Sequence, residues 1–265
     1  MTAINPQKIE NQLNLLLKDF HQPEQFIIQL RRLLEDYADH VYRPGSESVL
    51  PSLLASYHVP PPLLRELDKK VAGLSKTNPQ HALRLAEALW EIDYIEFKLT
   101  AISILSAIPI TESQSVFYLL EKWITNCKNQ NLLKQLREAI VEQFLPAEPA
   151  KLIEQVQEWL NQDNLSLKKF GYQVLSQSIE KYPFDYLPAI YKIIQPSLYD
   201  TSATFRNEIT NILIELTKRS PKEVAYLLRS AYQSKPHPNI KRIIRSTLRY
   251  YPSEQQVELE KFLYQ

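Results

Sequence analysis

Signals for the start of a helix return along this chain at a nearly constant spacing. They fall near Pro79, Glu112, Glu148, Phe184 and Pro221, at intervals of 33, 36, 36 and 37 residues. A period of this length suits a pair of antiparallel helices. One such pair cannot bury its apolar face alone and must stack on its neighbours. Each boundary has a local chemical cause. Asn78-Pro79 offers a capping side chain followed by proline at the first helical position. Ser220-Pro221-Lys222-Glu223 reads as a capping box with proline inside it. Thr111 to Gln114 and Ser253 to Gln256 repeat that spacing, and Asn164 stands ready to cap the helix opening at Leu165-Ser166-Leu167.

Between the boundaries the apolar residues keep helical register. Phe205, Ile209, Ile212, Leu213 and Leu216 lie along one face, as do Ile240, Ile243, Ile244 and Leu248. The chain has only three glycines, Gly45, Gly73 and Gly171, too few for the turns of a β-rich or α/β fold. The fold class expected is therefore all-α, a right-handed α-solenoid of HEAT-like helical repeats. A single domain over residues 1–265 is expected, with 1–75 as an N-terminal helical cap. That cap reads as helices near 6–20 and 22–39, a shorter one near 47–57, and one starting near Pro61. The loop from Tyr42 to Ser48 is its best candidate for a break. Trp90, Phe117, Phe170, Phe205 and Leu213 are expected between helices, with Trp90 and Trp159 as packing anchors.

Several function classes are excluded or left without support. The lone cysteine, Cys127, rules out an internal disulfide and a cysteine-based zinc site. The five histidines, His21, His40, His58, His81 and His237, show no metal spacing, and there is no phosphate-binding glycine loop or Gly-x-Ser-x-Gly. No metal or cofactor is expected. No apolar run approaches the ~18 residues that span a bilayer, and residues 1–12 do not read as a signal peptide. A cytoplasmic monomer with no membrane partner is the expectation.

Charge is placed unevenly. The whole chain carries a formal +1. Residues 201–265 hold 11 basic and 6 acidic side chains, whereas 1–100 and 101–200 are each acidic by two. Between Leu216 and Tyr250 nine basic residues face one acid, Glu223. A local basic surface can attract an anionic partner even on a neutral protein.

The segment Leu89-Trp90-Glu91-Ile92-Asp93-Tyr94-Ile95-Glu96-Phe97-Lys98-Leu99-Thr100-Ala101 resembles a signature of the DNA alkylation repair family, the AlkD-like glycosylases. Tyr57-His58-Val59-Pro60-Pro61-Pro62-Leu63-Leu64-Arg65 is similar to that family's Tyr-x-Gly-Val-x-x-Pro-x-Leu-Arg stretch, with His58 in place of the glycine. Trp159 to Lys169 resembles its Trp-(few residues)-Asn-x-Trp-x-Arg-Arg element, and Glu215 to Pro221 its Arg-Glu-(spacer)-Pro element. The resemblance spans roughly residues 50–250.

It implies a helical-repeat scaffold that holds duplex DNA by its backbone. It also implies a Trp-Asp-x-x-Asp motif whose last carboxylate stabilises the cationic sugar left as a damaged base departs. The matching stretch is Trp123-Ile124-Thr125-Asn126-Cys127, with a neutral thiol at the critical carboxylate. The family's arginine falls on Lys168 or Lys169, which keeps charge without the bidentate fork. Its second cleft aromatic falls on Asn211.

No catalytic residue is assigned. The expected DNA contacts are Trp123, Lys168, Lys169, Asn211, Lys218, Arg219, Lys241, Arg242, Arg245 and Arg249. Trp123 has a competing reading as core, because Val116, Leu120, Trp123 and Cys127 share one apolar stripe. On that reading Cys127 is an inert buried thiol. The function expected is sequence-independent DNA binding with absent or weakened catalysis. An alkylpurine glycosylase with a rearranged site and a scaffold for protein partners stay open as alternatives.

Overall fold

A computed structural model of the chain describes residues 6–39, 54–181, 187–199 and 204–263. Helices account for nearly all of it: α1 (Pro6–Leu16), α2 (Pro23–Asp36), α3 (Pro61–Thr77), α4 (Pro79–Trp90), α5 (Ile95–Ala107), α6 (Ser113–Asn126), α7 (Gln130–Phe144), α8 (Pro149–Asn161), α9 (Leu165–Lys181), α10 (Leu187–Leu198), α11 (Arg206–Arg219), α12 (Pro221–Ser234), α13 (Pro238–Thr247) and α14 (Ser253–Leu263). Among the described residues there is no strand, and Ala55 and Tyr94 form an isolated parallel bridge.

The chain divides into two compact units, residues 1–147 and 148–265. In the first, α3, α5 and α7 lie side by side in one row, and α2, α4 and α6 in a second. In the second, α9, α11 and α13 form one row, and α8, α10, α12 and α14 the other. Two rows, filled alternately along the sequence, are what a stack of helical pairs produces.

The expected anchors are buried: Trp90, Phe117, Phe170, Phe205 and Leu213 all lie in the core. Trp90 stacks on Trp123 with ring centroids 4.3 Å apart, and Trp159 meets the edge of Phe170 at 5.6 Å. Burying aliphatic and aromatic side chains of this size stabilises a fold by roughly 1.5–3 kcal/mol each.

The helix starts near Pro79, Glu148 and Pro221 appear as α4, α8 and α12. Two of the expected caps work differently. Asn78 and Ser220 each close one helix and open the next with no linker between. Their side chains serve the helix that is ending. Asn78 Nδ2 donates to the Leu74 carbonyl at 3.3 Å, and Ser220 Oγ donates to the Leu216 carbonyl at 3.4 Å while it also bonds the Tyr191 hydroxyl. Neither makes an N-terminal cap bond. At the Thr111 site a 3-10 turn over Ile110–Glu112 precedes α6, again without a side-chain cap.

Asn164 does cap α9, accepting from the Ser166 and Leu167 amides at 2.9 and 3.2 Å. Asn129 caps α7 in the same way, a signal the sequence reading passed over. Residues 54–57 are not helical. The rest of the helix expected near 47–57, the loop from Tyr42 to Ser48 and the start near Phe184 lie outside the described residues.

Helix α5 departs from the amphipathic pattern because α3, α4 and α7 enclose it. Glu96, Lys98 and Thr100 are all buried on it. Glu96 Oε1 accepts from Ser56 Oγ and from the amides of Tyr57 and His58, at 2.7, 2.9 and 3.0 Å. This carboxylate pins the strap that leads into α3. Tyr57 stacks on Tyr94 at 4.5 Å alongside it. His58, at the bend of the strap, has φ 52°, the left-handed region where glycine is favoured. The glycine of the resembling family stretch thus has a backbone reason.

Candidate nucleic-acid interface

The row α9, α11 and α13 of the second unit offers three solvent-facing stripes. On α9 the stripe runs through Lys169, Gln173, Ser176 and Glu180, at helical spacing. On α11 it runs through Asn207, Asn211, Ile214 and Lys218. On α13 and the 3-10 turn that ends it, Leu248–Tyr250, it runs through Arg242, Arg245 and Arg249.

Helices α9 and α11 run in the same direction. Lys169 near the start of α9 lies 4.0 Å from Glu208 near the start of α11, and Glu180 near the end of α9 acts on Lys218 near the end of α11. The apolar faces turn inward: Ile209, Ile212, Leu213 and Leu216 of α11 and Ile240, Ile243 and Ile244 of α13 are buried.

The expected cations fall into three groups. Arg242 and Arg245 are exposed, and among the described residues no carboxylate lies within ion-pair distance of either. Arg249 is exposed as well; it lies over the Tyr250 ring at 4.8 Å and donates to its hydroxyl at 2.7 Å, which orients the guanidinium. Arg219 is exposed at the end of α11.

Lys169 and Lys218 are exposed but held by carboxylates. Lys218 Nζ lies 2.6 Å from Glu215 Oε1, and this hydrogen bond, with Glu180 adding to it, pushes the lysine's pKa above its ordinary value. The third group is structural. Lys241 is half-buried, lies over the Tyr232 ring at 5.2 Å and donates to the Leu263 carbonyl at 3.3 Å, so it ties down the end of α14. Lys168 is half-buried on the flank of α9, and Asn211 is an exposed polar residue.

Trp123 and Cys127 belong to the first unit. Trp123 is fully buried beneath Trp90, and its indole Nε1 has no hydrogen-bond partner. The core reading of this residue describes its place; it has no surface to offer a nucleotide. Cys127 ends α6, its amide bonded to the Trp123 carbonyl at 2.9 Å. The thiol is half-buried, less enclosed than the apolar stripe suggests, and lies 3.6 Å from the Asn129 carbonyl. Burial pushes its pKa up, against the opposing pull of the Asn129 contact and Lys98.

Lys98 is a buried cation beside this stack. Its ammonium donates to the Trp90 carbonyl at 2.6 Å, pairs with Asp93 at 3.4 Å and sits 5.1 Å from the Trp90 ring centroid. Neither the thiol, held neutral by its raised pKa, nor the paired lysine places a negative charge at the Cys127 position.

The sequence reading missed Glu208, Glu215 and Glu180 as partners of the lysines. The Glu215–Lys218 pair was legible from its spacing of three. Lys169–Glu208 joins neighbouring repeats and needs the packing. Among the described residues no cluster of three or more histidine, cysteine, aspartate or glutamate side chains could hold a metal, and no helix is long and apolar enough to cross a membrane.

Paired rows of helices, with no strand among the described residues, define an all-α helical-repeat protein. The chain belongs to the DNA alkylation repair enzyme family, whose pattern matches residues 30–250. Its fold is similar to that of AlkD2 from Streptococcus mutans, at TM-score 0.61 and 15% identity, over 88% of this chain and 100% of that one. It is also similar to smu.31 from Streptococcus mutans UA159, at TM-score 0.57 and 17% identity, over 71% of this chain and 93% of that one. A search of curated protein sequences finds no match.

Proposed function

We propose that this protein binds DNA through the backbone of the duplex and does not excise bases. The observation that carries the reading is the stripe Arg242, Arg245 and Arg249. Three guanidinium groups share one face, all exposed, at the edge of a rigid helical row. A phosphate-tracking surface needs fixed cations of this kind, and such contacts carry no base information. The absence of catalysis rests on Cys127, where the family resemblance places a carboxylate.

Binding is measured by fluorescence anisotropy with duplex, branched and single-stranded DNA over a range of salt. The triple variant Arg242→Ala, Arg245→Ala, Arg249→Ala should weaken binding similarly for unrelated sequences. It should flatten the slope of log K against log salt by up to ~0.9 for each phosphate that an arginine no longer neutralises. A wild-type protein that fails to bind any of the three DNAs at low salt would refute the proposal and leave a protein-binding scaffold as the better reading. Release of 7-methylguanine from alkylated duplex should match the uncatalysed control. Multiple-turnover release would overturn the non-catalytic part.

A further inference from the structure

On the face formed by α9, α11 and α13 the cations are not equivalent. Lys169 and Lys218 point to solvent, with side chains 50% and 51% exposed. Their partners are fixed. Glu208 and Glu215 are only 17% and 19% exposed, held against the helices that carry them. Lys218 answers to two carboxylates, Glu215 first and Glu180 more weakly. Two lysines therefore share this part of the face with three acids, while the α13 stripe carries three arginines that no described carboxylate pairs. A phosphate approaching Lys169 and Lys218 meets two cations against three carboxylates at close range, although Lys168, Lys181, Arg206 and Arg219 leave α9 and α11 net positive as whole helices. It must also break a charge-assisted hydrogen bond before it can use Lys218.

We propose that Glu208 and Glu215, with Glu180 behind them, hold Lys169 and Lys218 out of DNA contact, so that the footprint on this unit is confined to the α13 edge and the exposed Arg219 that ends α11. The acids act as specificity-determining residues. They attenuate affinity and set where the duplex lies. This rests on the DNA-binding reading above, and the experiment separates the two.

Four proteins are titrated with the same duplex over a range of salt: wild type, Glu208→Gln/Glu215→Gln, Lys169→Ala/Lys218→Ala, and the triple arginine variant. The glutamines keep the shape and hydrogen-bonding length of the acids and remove their charge. The glutamine protein should bind several-fold tighter, with a salt slope steeper by up to ~1.8 if both lysines then reach phosphate. The lysine variant should bind like wild type. Adding Lys169→Ala/Lys218→Ala to the glutamine protein should abolish the gain.

Weaker binding by the lysine variant, to the degree seen for the arginine variant, would show that the lysines already touch DNA and would overturn the inference alone. So would glutamine substitutions that change neither affinity nor slope. Absence of binding in wild type and in the glutamine protein alike overturns the DNA-binding reading, and this inference with it. A gain in affinity cannot come from misfolding, so the glutamine variant needs no separate rescue.

Discussion

Replacing His58 with glycine should stabilise the protein. The residue sits at φ 52°, where a side chain with a Cβ crowds the backbone at a cost of about 1–2 kcal/mol. Its amide is well used, donating to Ser56 Oγ and to Glu96 Oε1, each at 3.0 Å, and both bonds survive the substitution. Glycine brings an opposing term, because it frees the unfolded chain by roughly 0.5–1 kcal/mol. The relief of strain is the larger, and a net gain of about 0.5–1 kcal/mol follows. For a chain of this size that corresponds to a rise in Tm of about 1–4 °C.

The imidazole is exposed but shares a 3.4 Å hydrogen bond with Ser56 Oγ. His58→Ala keeps the Cβ and the strain and loses that bond as the glycine variant does, so it should be less stable than the glycine variant and lie within about 1 kcal/mol of wild type. Paired urea and thermal melts of the three proteins measure the difference. A glycine variant less stable than both the alanine variant and wild type would refute the argument, because the strap would then prefer a side chain at its bend.

Two further groups carry pH-dependent expectations. Asp68 has one carboxylate oxygen buried without a partner, and burial raises its pKa from 3.8 to about 6, against the pull of Ser103. The folded state therefore holds the proton more tightly than the unfolded chain. Stability from this group is complete below about pH 4 and is lost as pH rises through about 6, by up to roughly 3 kcal/mol. Asp68→Asn should accordingly stabilise the protein at pH 7.5 and make little difference at pH 4, read from urea midpoints at the two values. Equal effects at both would reject the burial argument. Cys127 is half-buried with its pKa raised, so its reaction with iodoacetamide at pH 7 should be slower than that of a free thiol and should climb with pH beyond the ordinary thiol range. Fast labelling at neutral pH would mean that the thiolate is stabilised instead.

The helical scaffold was legible because period, proline placement and apolar spacing all pointed the same way. The caps at Asn78 and Ser220 were misread for a specific reason. Capping preferences assume that the residue belongs to the helix that follows. At these junctions φ is near −133° and −140° and the same residue also ends the preceding helix, so the nearest orphan group was a carbonyl behind it. Asn164 has a short linker behind it and behaves as its type predicts. The cation face was only partly readable. Spacing put Arg242, Arg245 and Arg249 on one stripe, but it could not show that Lys241 is spent on the end of α14. Nor could it show that Lys169 meets an acid from the next repeat. Those are facts of packing between elements distant in sequence.

The junctions at Asn78 and Ser220 also bear on how this architecture can evolve. A helix that begins one residue after the last has ended has no slack. Inserting or deleting one residue there would turn the following helix by about 100° and carry its apolar stripe toward water. The segment 162–164 between α8 and α9 can absorb a change of length without such rotation, because the Asn164 cap resets the helix start. Among descendants of this chain, length variation should collect at sites like 162–164, while 78 and 220 tolerate substitution but not insertion. Grafting experiments that place a short polar peptide at each site would see the same asymmetry as retained or lost folding.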